Sequence, residues 1–379
     1  MMLTGLRLRA ALVTALVSLP VAGCAPARTG AADPIKPIAG FTRLTWMGEF
    51  TRPAASRYPQ IADRERFGSL SGLARDAAST QWIAVIDDRA GSRVAWLSIS
   101  FAGGVLDVSP TGMQELRPGP GVDRRVATQA DLEAVVALPD GSFLMSEEGH
   151  LTEQGMWPPA LLQVTRDGLV TSVVAFPKEF QLAADGKTGV RDNQGFESLT
   201  RTPRGRLIAG LEQPLADQPL TTPARGGNGR LIEFEPSGAT WKPGRQWQYA
   251  ISPTPVVTGF PTLCDGGENG LVELLALTET MLIAMERACW LNAAGNEASN
   301  AVQIFAVTLS GSVARKTLLL DLSTLTAKFT PALANLENFE GLAFGPPVGG
   351  RPSLLVMSDD NFRATQKTAF LLFGMGERF

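Results

Sequence analysis

Apolar residues along this chain come in short runs, each closed off by turn formers. W-I-A-V-I (Trp82–Ile86), L-I-A-G-L (Leu207–Leu211), L-I-A-M (Leu282–Met285) and L-L-V-M (Leu354–Met357) are typical, and tight-turn signals such as Pro139-Asp140-Gly141 and Pro203-Arg204-Gly205 precede runs of this kind. Segments this short, rich in Val, Leu, Ile and Phe and bounded by Gly and Pro, predict strands rather than helices. An all-β chain is expected.

The runs repeat. Laid on itself, the chain aligns five segments: S-L-S-G-L-A-R-D from Ser69, D-L-E-A-V-V-A-L from Asp131, G-F-E-S-L-T-R-T from Gly195, L-V-E-L-L-A-L-T from Leu271 and N-F-E-G-L-A-F-G from Asn338. Glu133, Glu197, Glu273 and Glu340 then share a column with Ser71, at spacings of 62, 64, 76 and 67 residues. A second acidic column ends the following strand, at Asp87, Glu147, Glu212, Glu286 and Asp359. Each copy reads as a hairpin, in which the start of the first strand and the end of the second lie at one end. The carboxylates of a unit should therefore converge.

Antiparallel units that cannot bury both faces alone point to radial repetition, a β-propeller in a single domain. Five units are evident, and the stretched spacing in the 200s predicts a sixth, so six blades are expected. A strand at Ala369–Phe373 and another around Phe41–Gly48 are expected to pair and close the ring. A β-sandwich is the rival, but it leaves the regular recurrence of acids unexplained.

Composition and the termini add the cellular setting. The 44% hydrophobic content of the 379 residues suffices for a large core, and the near balance of 34 basic and 37 acidic residues, without a basic run, argues against a nucleic-acid partner. Arg7 and Arg9 precede an apolar run ending in V-A-G-C at Cys24, the pattern of a lipoprotein signal peptide over residues 1–23 with Cys24 as the lipidated residue. An ordinary signal peptide cut nearby is the alternative. Either way the chain is exported, and Ala25 at the next position favours an outer-membrane lipoprotein facing the periplasm or cell surface. Residues 24–38 read as a flexible tether and 39–379 as the folded domain. Cys264 and Cys289 remain as a pair that either forms a disulfide or stays as two small buried thiols.

Taken together, D-L-E-A-V with P-D-G and S-E-E, N-Q-G-F-E-S-L with G-L-E-Q-P-L, N-G-L-V-E-L-L-A-L with A-M-E-R, and N-F-E-G-L-A-F-G with S-D-D-N-F resemble the phytase-like family known for "esterase-like activity of phytase". The resemblance runs from about Phe41 to Phe373. It implies a propeller and phosphoester hydrolysis, with inositol phosphate or a related phosphomonoester as substrate.

The residues themselves indicate what such a site would use. A ring of carboxylates from Glu133, Glu147, Glu197, Glu212, Glu273, Glu286, Glu340 and Asp359 suits Ca²⁺, which takes six to eight oxygen ligands. Histidine and thiolate, favoured by zinc, are nearly absent. Arg287 and Arg363 are the candidate phosphate contacts. The structural alternative is that these acids accept backbone N–H bonds or pair with arginines and only hold blades in register, leaving a non-catalytic, ligand-binding scaffold. G-S-L-S-G around Ser71 raises a third option, a carboxylesterase using Ser71 with the single histidine, His150. No helix is expected after Ser71, however, as a nucleophile elbow requires.

Overall fold

Each apolar run forms a strand that turns back on the next, because the intervening Gly, Pro and Asp residues close tight antiparallel turns. The computed structural model describes residues 43–376 except 55, 60, 62–65, 77, 153–154 and 239. The expected signal peptide, Cys24 and the tether lie outside the described residues.

Four-stranded antiparallel meanders recur along the chain. The first blade comprises Leu70–Arg75, Trp82–Ile86, Arg93–Ala102 and Val105–Glu115, and the second Leu132–Ala137, Phe143–Glu147, Ala160–Val164 and Leu169–Ala175. The third is Ser198–Arg201, Leu207–Gly210, Gly227–Ser237 and Thr240–Ile251, and the fourth Gly270–Ala276, Met281–Leu291, Ala298–Ser310 and Val313–Asp321. In the fifth, Asn338–Phe344, Ser353–Asp359 and Lys367–Gly376 take their outer strand from the beginning of the domain, Arg43–Pro53. This pairing ties the two ends of the domain into one sheet, as the early and late apolar runs predicted.

The first strands of the five blades neighbour one another in cyclic order, the fifth returning to the first. Five hydrophobic clusters fill the five seams between blades. Between the fourth and fifth blades, for example, Ile283, Met285 and Val302 pack with Phe339, Leu354, Leu371 and Phe373. The ring is complete with five blades among the described residues, so the sixth expected from the 200s is not formed. The extra residues there lengthen the outer hairpin of the third blade, Gly227–Ser237 with Thr240–Ile251, and supply the 252–269 connection to the fourth. A disulfide between Cys264 and Cys289, with Cα atoms 5.4 Å apart, fastens that connection to the fourth blade.

Two glycines let the inner strands approach. A Cβ on Gly72 would lie 2.5 Å from both Ala134 Cα and Glu133 O, and one on Gly341 would lie 2.8 Å from Ser71 O. Register breaks by a bulge at the same place in four inner strands: between Leu70 and Leu73, Leu132 and Val135, Leu271 and Glu273, and Phe339 and Gly341. Bulges re-aim side chains. Here the break falls beside Ser71, Glu133, Val272 and Glu340.

Candidate metal centre

The backbone register defines which residues are equivalent. At the end of each second strand, Asp87 N bonds Ser69 O at 2.8 Å, Glu148 N bonds Asp131 O at 3.3 Å and Glu212 N bonds Gly195 O at 2.8 Å. Arg287 lies opposite Gly270, and Asp359 opposite Asn338. The second column is therefore Asp87, Glu148, Glu212, Arg287 and Asp359. Two residues beyond each first-strand partner come Ser71, Glu133, Glu197, Val272 and Glu340, which form the first column.

Three acids of the sequence alignment are consequently one residue off. Glu147, Glu273 and Glu286 stand beside the columns, and a one-residue offset on a strand sends the side chain to the other face. Each instead accepts from protein donors. Glu147 accepts from Asp131 N at 2.6 Å, Gly149 N at 3.2 Å and His150 Nδ1 at 3.1 Å if that nitrogen carries the proton. Glu273 accepts from Leu274 N at 2.9 Å and, across the seam, from Leu199 N at 3.2 Å. Glu286 pairs with Lys316 and accepts from Tyr249 Oη at 2.8 Å, Asn269 Nδ2 at 2.9 Å and Ser252 N at 3.1 Å.

The other five expected acids, Glu133, Glu197, Glu212, Glu340 and Asp359, are buried and repel one another electrostatically, and the buried Asp131 and Glu148 and the half-buried Asp87 join them. Ligand oxygens of Asp87, Asp131 and Glu133 lie within 4.8 Å of one another, as do those of Glu133, Glu148 and Glu197, so Glu133 belongs to both groups. The neighbouring donors are few. Ser71 Oγ donates to Glu133 Oε2 at 2.7 Å, and Gly195 N to Glu148 Oε2 at 3.0 Å. Arg287 Nη2 donates to Glu340 Oε1 at 2.8 Å and lies 3.7 Å from Glu212 Oε1. Arg89 Nε donates to Asp131 Oδ2 at 2.7 Å.

Burial, followed by the repulsion of neighbouring carboxylates, pushes Asp87, Glu133, Glu148 and Glu197 well above the ordinary range, and burial with Glu340 nearby does so for Asp359. Burial also raises Glu212, to about 7, against the opposing pull of Arg287. Asp131 is the exception: burial pushes it up, but Arg89 holds it below its usual value. Such a group must bind protons or a cation. The residues present fit a hard divalent ion, since every donor is a carboxylate oxygen and two of the oxygens, Glu197 Oε2 and Asp131 Oδ1, are buried with no hydrogen-bond donor.

The family described as "Phytase-like: Esterase-like activity of phytase" matches residues 65–362, more than three quarters of the chain. The chain belongs to the phytase-like family. Phytase-like domains are β-propellers, and membership supports a hydrolase of the phosphoesterase type. Comparison with curated proteins returns no match.

Against this phytase-like background, the remaining expected residues fall as follows. Arg287 is half-buried and paired with Glu340, whereas Arg363 is exposed in the turn after the fifth blade's second strand. No hydrogen bond joins Ser71 to His150. Ser71 begins an inner strand and bonds Glu133, while His150 stacks on Trp157 with ring centroids 5.0 Å apart. Asp131, Glu148 and Arg89 are absent from the expected ligand set. The acidic doublets S-E-E and I-D-D carried part of the signal, since either member of a doublet can end the strand.

Proposed function

We propose that this phytase-like propeller is a Ca²⁺-dependent phosphoester hydrolase whose substrate is inositol phosphate or a related phosphomonoester. The observation that carries the reading is the pair of carboxylate groups sharing Glu133, buried around the axis with unpartnered oxygens. Glu133, Glu148 and Glu197 would hold the ion, with Asp87 and Asp131 as a second set. A Ca²⁺ held there would neutralise the acids and supply Lewis-acid polarisation of a phosphoryl oxygen. The chain's own residues orient the site. Ser71 fixes one oxygen of Glu133, and Arg287 fixes Glu340 beside Glu212. Glu212, raised to about 7 in the ion-free protein, is the carboxyl assigned to proton transfer.

The same reading places the protein outside the cytoplasm, anchored to the outer membrane through lipid on Cys24. The signal-like N-terminus supports this, and the Cys264–Cys289 disulfide fits an oxidising compartment. Hydrolysis of inositol hexakisphosphate and of an aryl phosphate, in Ca²⁺ and in chelator, tests the activity. Turnover that requires Ca²⁺ and falls at least a hundredfold in Glu133→Gln supports it. Ca²⁺ binding without turnover of any phosphoester would leave a ligand-binding scaffold instead.

A further inference from the structure

The two carboxylate groups differ in what already balances them. Arg89, in the turn joining the second and third strands of the first blade, reaches Asp131 with both Nε and Nη2, and its Nη2 lies 3.9 Å from Glu148 Oε1. One arginine thus touches a member of each group. Its side chain is 39% exposed, while that of Asp131 is 1% exposed. Arg287, by contrast, is 11% exposed and wedged between Glu340 and Glu212. Asp131 presents its second oxygen, Oδ1, without a donor, and its nearest acidic neighbour is Asp87. Two carboxylates facing each other need a proton or a cation between them. Arg89 supplies charge from one side, and the only other basic group beside Asp131 among the described residues is the buried His150 ring, whose Nδ1 lies 3.9 Å from Oδ2 and bonds Glu147.

We propose that Arg89 is an exchangeable counter-ion: it occupies Asp131 when the Asp87–Asp131–Glu133 group holds no divalent ion, and swings to the rim when one binds, where its guanidinium faces the phosphoryl oxygens of a substrate. This inference rests on the cation site proposed above. Its physical basis is the contrast in exposure. A guanidinium with much of its surface in water exchanges partners at small cost, whereas the carboxylate it leaves is fully desolvated and must take another cation. Arg89 is then a positioning and specificity residue, coupling ion occupancy to recognition of an anion.

Calorimetric titration of chelator-stripped protein with Ca²⁺, and of Ca²⁺-loaded protein with inorganic phosphate, tests the exchange. Arg89→Met is expected to bind Ca²⁺ about tenfold more tightly, because a competing charge is gone, and phosphate about tenfold more weakly. A merely structural arginine would not move the two affinities in opposite directions. In the wild type, phenylglyoxal should modify Arg89 faster in saturating Ca²⁺ than in chelator, as read by peptide mass; this measurement stands even if the variant fails to fold. Ca²⁺ binding with unchanged labelling, or with an Arg89→Met affinity no tighter than wild type, overturns the exchange and leaves the cation site intact. Absence of Ca²⁺ binding overturns both.

Discussion

Ser71 Oγ donates to Glu133 Oε2 at 2.7 Å, linking the same position of two adjacent blades across their seam. The serine occupies a column that holds glutamate in three of the other four copies, and so it contributes a donor where a further acid would add repulsion. Its neighbour Gly72 lets the two inner strands come close enough for the bond to form.

Replacing Ser71 with alanine removes one buried donor and should cost about 1 kcal/mol of stability, the ordinary net worth of such a bond. Thermal unfolding would show this as a small drop in Tm. Hydrolysis of a short aryl ester should be unaffected by the substitution, since Ser71 bonds Glu133 and His150 bonds Glu147 rather than each other. Loss of ester turnover would instead revive the serine-nucleophile reading.

The raised carboxyls make stability depend on pH in a definite sense. A buried acid whose folded pKa lies above its unfolded value binds more protons in the native state, so folding is favoured below the unfolded pKa and that advantage is lost as pH rises through the folded value. For Glu212 the window runs from the ordinary 4.5 to about 7, and Asp87, Glu133, Glu148, Glu197 and Asp359 act in the same direction. Denaturant midpoints of chelator-treated protein should therefore fall between pH 4.5 and 8. Saturating Ca²⁺ should flatten or reverse the slope, and an identical slope with and without the ion would argue that no cation enters the cluster.

Arg287 is the cationic member of the second column, and the fourth blade carries Val272 in place of a first-column acid. The blade thus departs from the pattern at both positions, lowering the negative charge on its side of the axis. Arg287→Met should destabilise the protein by about 3–5 kcal/mol at neutral pH, because it leaves Glu340 and Glu212 buried without their partner. The loss should shrink at pH 5, where those acids take up protons. Comparing unfolding curves of wild type and variant at the two pH values checks this directly.

The disulfide fastens the 252–269 connection over a separation of 25 residues. On the loop-closure account, losing a crosslink of that span costs about 3 kcal/mol. Cys264→Ser with Cys289→Ser, or reduction of the wild type, should lower the denaturant midpoint accordingly. The axial acids come mainly from strands outside this connection, so Ca²⁺ affinity should change little by the same calorimetric measure.

Repeats and hairpins were legible in the sequence because a strand's period of two and its turn residues are local. The axial register was not, because it depends on bulges that insert a residue without changing the apolar pattern. In L-V-E the eye aligns Glu273 with Glu340, but the bulge between Leu271 and Glu273 makes Val272 the register equivalent of Glu340. The same ambiguity hid Glu148 behind Glu147. Blade number was misjudged for a related reason, since long outer strands and a long connection add sequence to a blade without adding another.

The adjacent pair Glu147 and Glu148 gives the sharpest test of that register. Glu147 satisfies Asp131 N, Gly149 N and His150, so Glu147→Gln, which keeps one acceptor oxygen but replaces the other with an amide, should lower stability by about 1–3 kcal/mol and leave Ca²⁺ affinity within a few fold. Glu148→Gln can still accept from Gly195 N while removing one of the repelling charges. It should stabilise the ion-free protein at pH 8 and weaken Ca²⁺ binding by at least about tenfold, since loss of even an outer-shell partner of a metal ligand typically costs ten- to a hundredfold. Thermal unfolding in chelator and a Ca²⁺ isotherm on each variant read out both effects. Opposite rankings in the two measurements identify the axial residue, and equal loss of Ca²⁺ affinity in both variants would show that the register assigned to the columns is wrong.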